Sequence, residues 1–353
     1  MGIKFGDLFD DIREPLKLKD LKNKRVGIDA YIVIYQMLAR IRTDEGAGEG
    51  LTDSQGRITS HLQGLFTRTL ALIDEGVNVV YVFDGPPPDF KTAELRRRTE
   101  RKKKAEEEYQ RAIEEEDLER AKKFSQQTIT IDEQIINDSK RLLDLLGVSY
   151  LTAKHDAEAQ LAMMAQKGYI DAVASQDYDT FLFGAPLVVR NLTISKTRMI
   201  RGQIRTVVPE KISLEKALST LEISREQLIH MGLLIGTDFN DKIPKIGSKT
   251  AEKLVKEHKD WNSLIQHVSS NYLKEDQTIN DYFSSASPKT IIDYFLNPPY
   301  NEDFSLDFSA RADIKGIIEF LVKERDFNEE RVTKQLSGLA KKQKQTSLKS
   351  FLS

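Results

Sequence analysis

The sequence predicts an α/β fold: a mostly parallel central sheet flanked by helices, with a helical arch insertion and a helical C-terminal region. Three observations predict it. Short apolar runs of strand character at 24–30, 77–84, 171–177 and 187–190 alternate with helical patterns such as Ser60 to Glu75 and Ile131 to Leu146. Strands separated by helical crossovers assemble in parallel. Residues 92–125 contain no Gly or Pro and few apolar positions, so they form helix with no apolar face of their own to bury, and project or move. Beyond Val208 the pattern is helical to about residue 337. The chain therefore divides into 1–90 and 131–235 as two parts of one core, 91–130 as the arch, 236–337 as the helical region, and 338–353 as a Lys/Gln/Ser-rich flexible tail.

A chain of 353 residues, 39% hydrophobic, can bury a core without staples. It has no cysteine, which excludes disulfides, thiolate metal sites and a cysteine nucleophile, and only five histidines. Any metal is therefore held mainly by carboxylates, which suits a hard cation such as magnesium. No apolar run reaches the roughly 18 residues of a membrane span. Met1-Gly2-Ile3-Lys4-Phe5 lacks the pattern of a signal peptide, so a cytoplasmic protein is expected. The net charge of −2 conceals a separation: eight basic and two acidic residues from Lys91 to Lys104, then eight acidic and one basic from Glu106 to Glu119. That distribution keeps nucleic acid open as a partner.

The acidic residues form a pattern. Asp29, Asp84 and Asp177 each stand at the C-terminal end of an apolar strand, the edge where open parallel sheets bind ligands. Asp177 and Asp179 are two apart, as are Asp156 and Glu158, and Asp238 follows the apolar run Leu233-Leu234-Ile235-Gly236-Thr237. Singly, each acid is explained as a helix cap or turn residue. Together, seven carboxylates at one edge repel one another unless cations neutralise them. Two divalent ions roughly 4 Å apart do so, and suit phosphodiester cleavage.

At these residues the chain resembles a family. Val26 to Gln36 resembles the first motif of flap endonucleases, and Tyr81-Val82-Phe83-Asp84-Gly85-Pro86-Pro87-Pro88 the second. Asp156-Ala157-Glu158-Ala159 and Ser175-Gln176-Asp177-Tyr178-Asp179 resemble the inner acidic motifs. Gly236-Thr237-Asp238 with Ile243 to Ala251 resembles the last, and the order holds from Met1 to about Leu336. The short insertion and compact tail resemble the archaeal branch. The resemblance implies that Asp29, Asp84, Glu158, Asp177, Asp179 and Asp238 hold or orient two Mg²⁺, with Mn²⁺ able to substitute. Asp156 joins this set one methylene short of the Glu usual in the family.

Lys91 and Arg98, two helical turns apart, face one way. Read alone, they belong to a solvated basic face; by resemblance they act on the scissile phosphate. Arg96, Arg97 and Arg101 to Lys104 attract single-stranded DNA or merely solvate the helix. Tyr35 is a core aromatic by type, and by resemblance stacks on a base at the cleavage end. Around Gly247, Ser248 and Lys249 the sequence reads helix, turn, helix, with N–H groups at a helix start that favour an anion. This resembles the family's helix–two-turn–helix, which grips duplex backbone and often binds K⁺; Lys245 replaces its first Gly. In the tail, Gln345, Leu348 and Phe351 are spaced by three, with Leu352 next. The spacing matches the motif that docks replication proteins on a sliding clamp (PCNA). Asp53 to Thr59 lies where many relatives carry an acidic cluster beside a pocket for a one-nucleotide 3′ flap, and Arg57 reverses the sign there.

The sequence thus predicts a magnesium-dependent nuclease of DNA carrying a 5′ flap, acting in replication and repair. The alternatives are a single-strand ribonuclease on a similar acidic core and a non-catalytic clamp-bound DNA adaptor. The long helical C-terminal half argues against the first, and the cost of an unneutralised carboxylate cluster against the second.

Overall fold

The computed structural model describes residues 3, 5–44, 51–115, 117, 120, 123–124, 127–192, 197–200 and 203–339. Its main sheet comprises β1 (Glu14–Pro15), β2 (Arg25–Asp29), β3 (Asn78–Phe83), β4 (Tyr150–Thr152), β5 (Ala172–Ala174), β6 (Leu187–Arg190) and β9 (Glu210–Ser213), in the order β1-β9-β6-β5-β2-β3-β4. The pairs β6–β5, β5–β2, β2–β3 and β3–β4 are parallel, while β9 pairs antiparallel with β6 and with β1. A separate hairpin joins β7 (Thr197–Ile200) to β8 (Gln203–Thr206).

The helices are α1 (Ala30–Asp44), α2 (Ser60–Asp74), α3 (Thr92–Glu114), α4 (Glu133–Leu146), α5 (Ala157–Gln166), α6 (Asp179–Leu182), α7 (Leu214–Leu221), α8 (Arg225–Ile235), α9 (Ser248–Glu257), α10 (Trp261–Tyr272), α11 (Pro288–Leu296), α12 (Ile314–Ile318) and α13 (329–339). Local chemistry sets their ends. Asp132 caps α4 by accepting the Ile135 N–H at 2.8 Å, and Gly147, at φ 67°, stops it in the left-handed conformation. None of the helices among the described residues is long and apolar enough to cross a membrane.

Side-chain alternation along β3 shows how the sheet separates two cores. Val79, Tyr81 and Phe83 pack with Ile34, Phe66, Leu142, Phe320 and Leu336 on one face. Val80 and Val82 pack with Leu161, Phe181, Leu233 and the N-terminal Phe5 and Phe9 on the other.

The mostly parallel sheet is as the sequence predicts. Three readings are corrected. The stretch after Val208 is not all helical, because Glu210–Ser213 forms β9 and closes against β6. Such a strand is specified by its long-range partner rather than by its own four residues. The 171–177 strand is shorter than expected: β5 ends at Ala174, and Asp177 sits in the bend before α6. The helix after Lys91 does bury small residues, since Ala105 and Ala112 are enclosed and Arg120 folds back to pair with Glu108.

Gly27 decides how near α5 lies to β2. A Cβ there would stand 2.3 Å from Leu161 Cδ2 and 2.6 Å from Ile170 Cδ1. Gly27→Ala is expected to lower unfolding stability by about 1–3 kcal/mol through overpacking, read by urea denaturation. An unchanged midpoint would show that α5 tolerates displacement.

Candidate active site

Chain order reverses at the middle of the sheet. From β2 the chain proceeds to β3 and β4 on one side, then returns to β5 and β6 on the other. The crevice at the carboxyl ends of β2 and β5 is therefore the switch point where such sheets bind ligands. Asp29 is the last residue of β2 and is 6% exposed. Asp84 follows β3, Asp177 follows β5, Asp179 opens α6 and Glu158 lies in the first turn of α5. Asp238 arrives through the turn after α8, where Gly236 takes φ 96° and a Cβ would meet the Lys242 nitrogen at 2.8 Å.

Close backbone approaches place these acids. The Gly85 N–H donates to the His155 carbonyl at 2.7 Å, and a Cβ at Gly85 would stand 2.2 Å from the Ala153 oxygen. Asp84 is thereby brought to accept the Ala157 N–H at 2.7 Å. Glu158 accepts from the Ser175 hydroxyl at 2.9 Å and the Thr180 hydroxyl at 3.1 Å. Asp179 accepts the Ile3 N–H at 2.7 Å, and Asp29 the Ile32 N–H at 3.2 Å. Asp29 thus also fills the helix-start role that a lone Asp would have.

The electrostatics are those of crowded anions. Burial, then the Asp84 and Asp177 charges, hold the Asp29 carboxyl well above the usual range. Burial, then Asp179, Asp177 and Asp29, do the same to Glu158. Burial, then Asp238 and Asp177, push Asp179 up to about 7. Burial, then Asp156, raise Asp84, opposed by its Ala157 hydrogen bond and by Lys91 and Arg98. Six of the seven carboxylates are linked in this way, and Asp156 through Asp84.

The two predicted cations face this cluster. Lys91 ends the 3₁₀ turn Asp89–Lys91 that leads into α3, and its Nζ pairs with Asp156 and stands 3.8 Å from Asp238 Oδ2. Arg98 pairs with the same Asp238 oxygen. Burial acts against the Lys91 ammonium, but Asp156, Asp238 and Asp84 outweigh it and raise its pKa. Beside them, Arg97 makes a two-pronged contact with Asp241.

Several site residues were not singled out in the sequence. Tyr294 of α11 donates its hydroxyl to Asp156 Oδ2 at 2.6 Å, and burial followed by the Asp156 charge raises its pKa. Within the apolar run of α11 it carries no local signal. Asp241, Thr180 and Ile3 likewise enter only through the fold.

The donor set fits hard divalent cations: all carboxylate, with Asp29 and Asp179 buried and Asp84 open to solvent, and more negative than the chain's own cations neutralise. Among the described residues, no three acidic or histidine side chains are arranged to hold an ion as they stand. Asp156 and Asp238 are instead engaged by Lys91 and Arg98.

The remaining predicted residues lie elsewhere. Tyr35, on α1, is 45% exposed and so is not a core aromatic. Gly247 precedes α9 with open space where a Cβ would be, and Ser248 and Lys249 form the first turn of that helix. Lys245 adopts φ 64°, the left-handed conformation that the usual glycine takes freely, so the turn persists without its glycine. Arg57 binds Asp53 at 2.6 Å and the Glu324 carbonyl, so its charge is neutralised locally. Alongside is a cavity of about 200 Å³ lined by Leu51, Thr59, Phe66, Phe327 and Arg331 among others. Gln345, Leu348, Phe351 and Leu352 lie outside the described residues.

Comparison with known proteins agrees with this geometry. Residues 1–105 match the XPG N-terminal domain and residues 147–238 the XPG I-region. The chain is 44% identical over 357 residues to Flap endonuclease 1 of Thermococcus onnurineus, covering 99% of each, and 41% identical to that of Pyrococcus furiosus over the same length and coverage. Flap endonuclease-1 from Methanococcus jannaschii superposes with a TM-score of 0.69 at 35% identity, covering 95% of this chain and 98% of that one. The catalytic core of Rad2 with DNA substrate shares the fold, with a TM-score of 0.71 at 22% identity, covering 96% of this chain and 100% of that one. The chain belongs to the flap endonuclease family of XPG-type nucleases, in its archaeal branch.

Proposed function

We propose that this structure-specific nuclease cuts branched DNA bearing a 5′ single-stranded flap, with an accompanying 5′–3′ exonuclease activity, leaving 5′-phosphate and 3′-hydroxyl ends. The observation that carries this reading is the carboxylate cluster at the switch point, with Asp29 and Asp179 buried at its base and Lys91 and Arg98 facing it. Asp29, Asp84, Glu158, Asp177, Asp179 and Asp238 would hold two Mg²⁺ or Mn²⁺, with Asp156 acting directly or through water. When bound, the ions supply Lewis acidity toward water and the phosphoryl oxygens.

The chain's own residues do the rest. Lys91 and Arg98 pair with Asp156 and Asp238. A scissile phosphate entering beneath α3 is a competing anion. It draws the two cations away from the carboxylates and receives them where charge develops during cleavage. Residues 91–130 act as the arch over the flap. Exposed Tyr35 stacks on a base. The 236–337 region grips duplex backbone at Gly247, Ser248 and Lys249, with K⁺ at the hairpin, and reads shape rather than sequence. The cavity beside Arg57 receives a short 3′ flap. The tail docks on a sliding clamp (PCNA) through Gln345, Leu348, Phe351 and Leu352, so a buried aromatic anchor tethers the enzyme near encircled DNA. A cytoplasmic, nucleoid-associated enzyme of replication and repair follows.

Lys91→Ala and Arg98→Ala are each expected to slow single-turnover cleavage of an end-labelled flap by on the order of 10²-fold, with a smaller loss of DNA affinity. A loss confined to affinity would reduce them to binding residues. Phe351→Ala, or truncation after Lys344, is expected to abolish stimulation by the clamp while basal flap cleavage stays unchanged. Clamp stimulation that survives truncation contradicts the docking role.

A further inference from the structure

Between the two acids Asp177 and Asp179 lies Tyr178, buried to 7% exposure and directed away from the carboxylate crevice into the N-terminal segment. Its ring stacks on Phe9 at 4.9 Å between centroids and meets the edge of Phe5 at 6.2 Å. Its hydroxyl accepts hydrogen bonds from Arg13 at 2.7 Å and from Arg190, whose guanidinium also lies over the ring at 4.4 Å. Both acceptor positions of the phenol are thus used by guanidinium groups.

Packing alone does not require this. A phenylalanine would fill the same stack. Here, however, one hydroxyl holds two cations, Arg13 just after the 3₁₀ turn Gly6–Ile12 and Arg190 at the end of β6, and the Nε of each arginine is buried with no hydrogen-bond partner among the described residues. Such an arrangement fixes the height and orientation of the ring. Because Tyr178 is bonded to both acids, it also fixes the backbone that carries them. The same N-terminal segment supplies the Ile3 N–H that orients Asp179 Oδ1. Arg13 also pairs with Asp10 at 2.7 Å.

We propose that Tyr178, clamped by Arg13 and Arg190, is a positioning residue that sets the Asp177/Asp179 pair for divalent-cation binding. This rests on the metal-holding role proposed above for those acids. Groups behind metal ligands set ligand orientation, and their loss commonly weakens metal binding by about 10–100-fold.

The test is calorimetric titration of the full chain with Mn²⁺ and with Mg²⁺, without DNA, for the wild type, Tyr178→Phe, Arg13→Gln, Arg13→Lys and Asp179→Asn. Tyr178→Phe keeps the ring stack and removes only the hydroxyl. It is expected to bind about tenfold more weakly, with a melting temperature in EDTA within about 4 °C of wild type. Arg13→Gln should weaken binding similarly, and Arg13→Lys should recover most of it. If Tyr178→Phe fails to fold, the two Arg13 variants decide the matter. Wild-type affinity in Tyr178→Phe or in Arg13→Gln, with Asp179→Asn weakened, overturns the clamp and leaves the metal site standing. Wild-type affinity in Asp179→Asn overturns both.

Discussion

Mutual repulsion among crowded carboxylates is the constraint on which the rest of this structure depends. Asp29 and Asp179 are buried, Glu158 is half-buried, and neighbouring carboxylate charges lie within reach of each, so each is held above the usual carboxylate range. A fold selected only for stability would not gather them. The fold gathers them because the sheet's chain order reverses between β2 and β5 and the turn after α8 joins that edge, which brings five segments to one crevice. Glycines at 27, 85 and 236 remove the Cβ atoms that would hold those segments apart.

The same repulsion explains the start of α3. Lys91 stays charged despite burial because three aspartates face it, and Arg98 shares Asp238 with it. Arg97 holds Asp241 in parallel, three residues beyond Asp238. Phe90 packs on Phe239 just before the helix, and the first turns of the helix are docked on the loop after α8 through these ion pairs. Contacts of this kind yield to a competing polyanion more readily than an apolar interface does. The ion pairs of Lys91, Arg97 and Arg98 are therefore the contacts at the start of α3 that a competing polyanion weakens.

Much of this was legible in the sequence because its signals are local. Apolar runs ending in Asp29 and Asp84 fix both the strand and the side of the sheet on which the acid emerges. The seven-residue spacing of Lys91 and Arg98 puts both on Asp238. What was not legible is tertiary. β1, β4 and β9 have two to four residues each and are strands only by virtue of their neighbours. Tyr294 reaches Asp156 across 138 residues of chain, and Arg13 reaches Tyr178 across 165. Lys245 falls between these cases. The missing glycine is visible in the sequence, but that the lysine keeps the left-handed turn is visible only in the fold.

Such repulsion within the carboxylate cluster destabilises the folded chain until divalent cations neutralise it. Thermal unfolding of wild type, Asp29→Asn and Glu158→Gln in EDTA and in Mg²⁺ tests this most directly, because the amides keep the shape and the hydrogen-bond acceptors while removing the charge. In EDTA each variant is expected to be more stable than wild type, by roughly 0.5–2 kcal/mol. Added Mg²⁺ should raise the wild-type midpoint and leave the variants nearly unmoved. Variants less stable than wild type in EDTA, together with a Mg²⁺ response equal to that of wild type, would show that these acids serve the fold and not a metal.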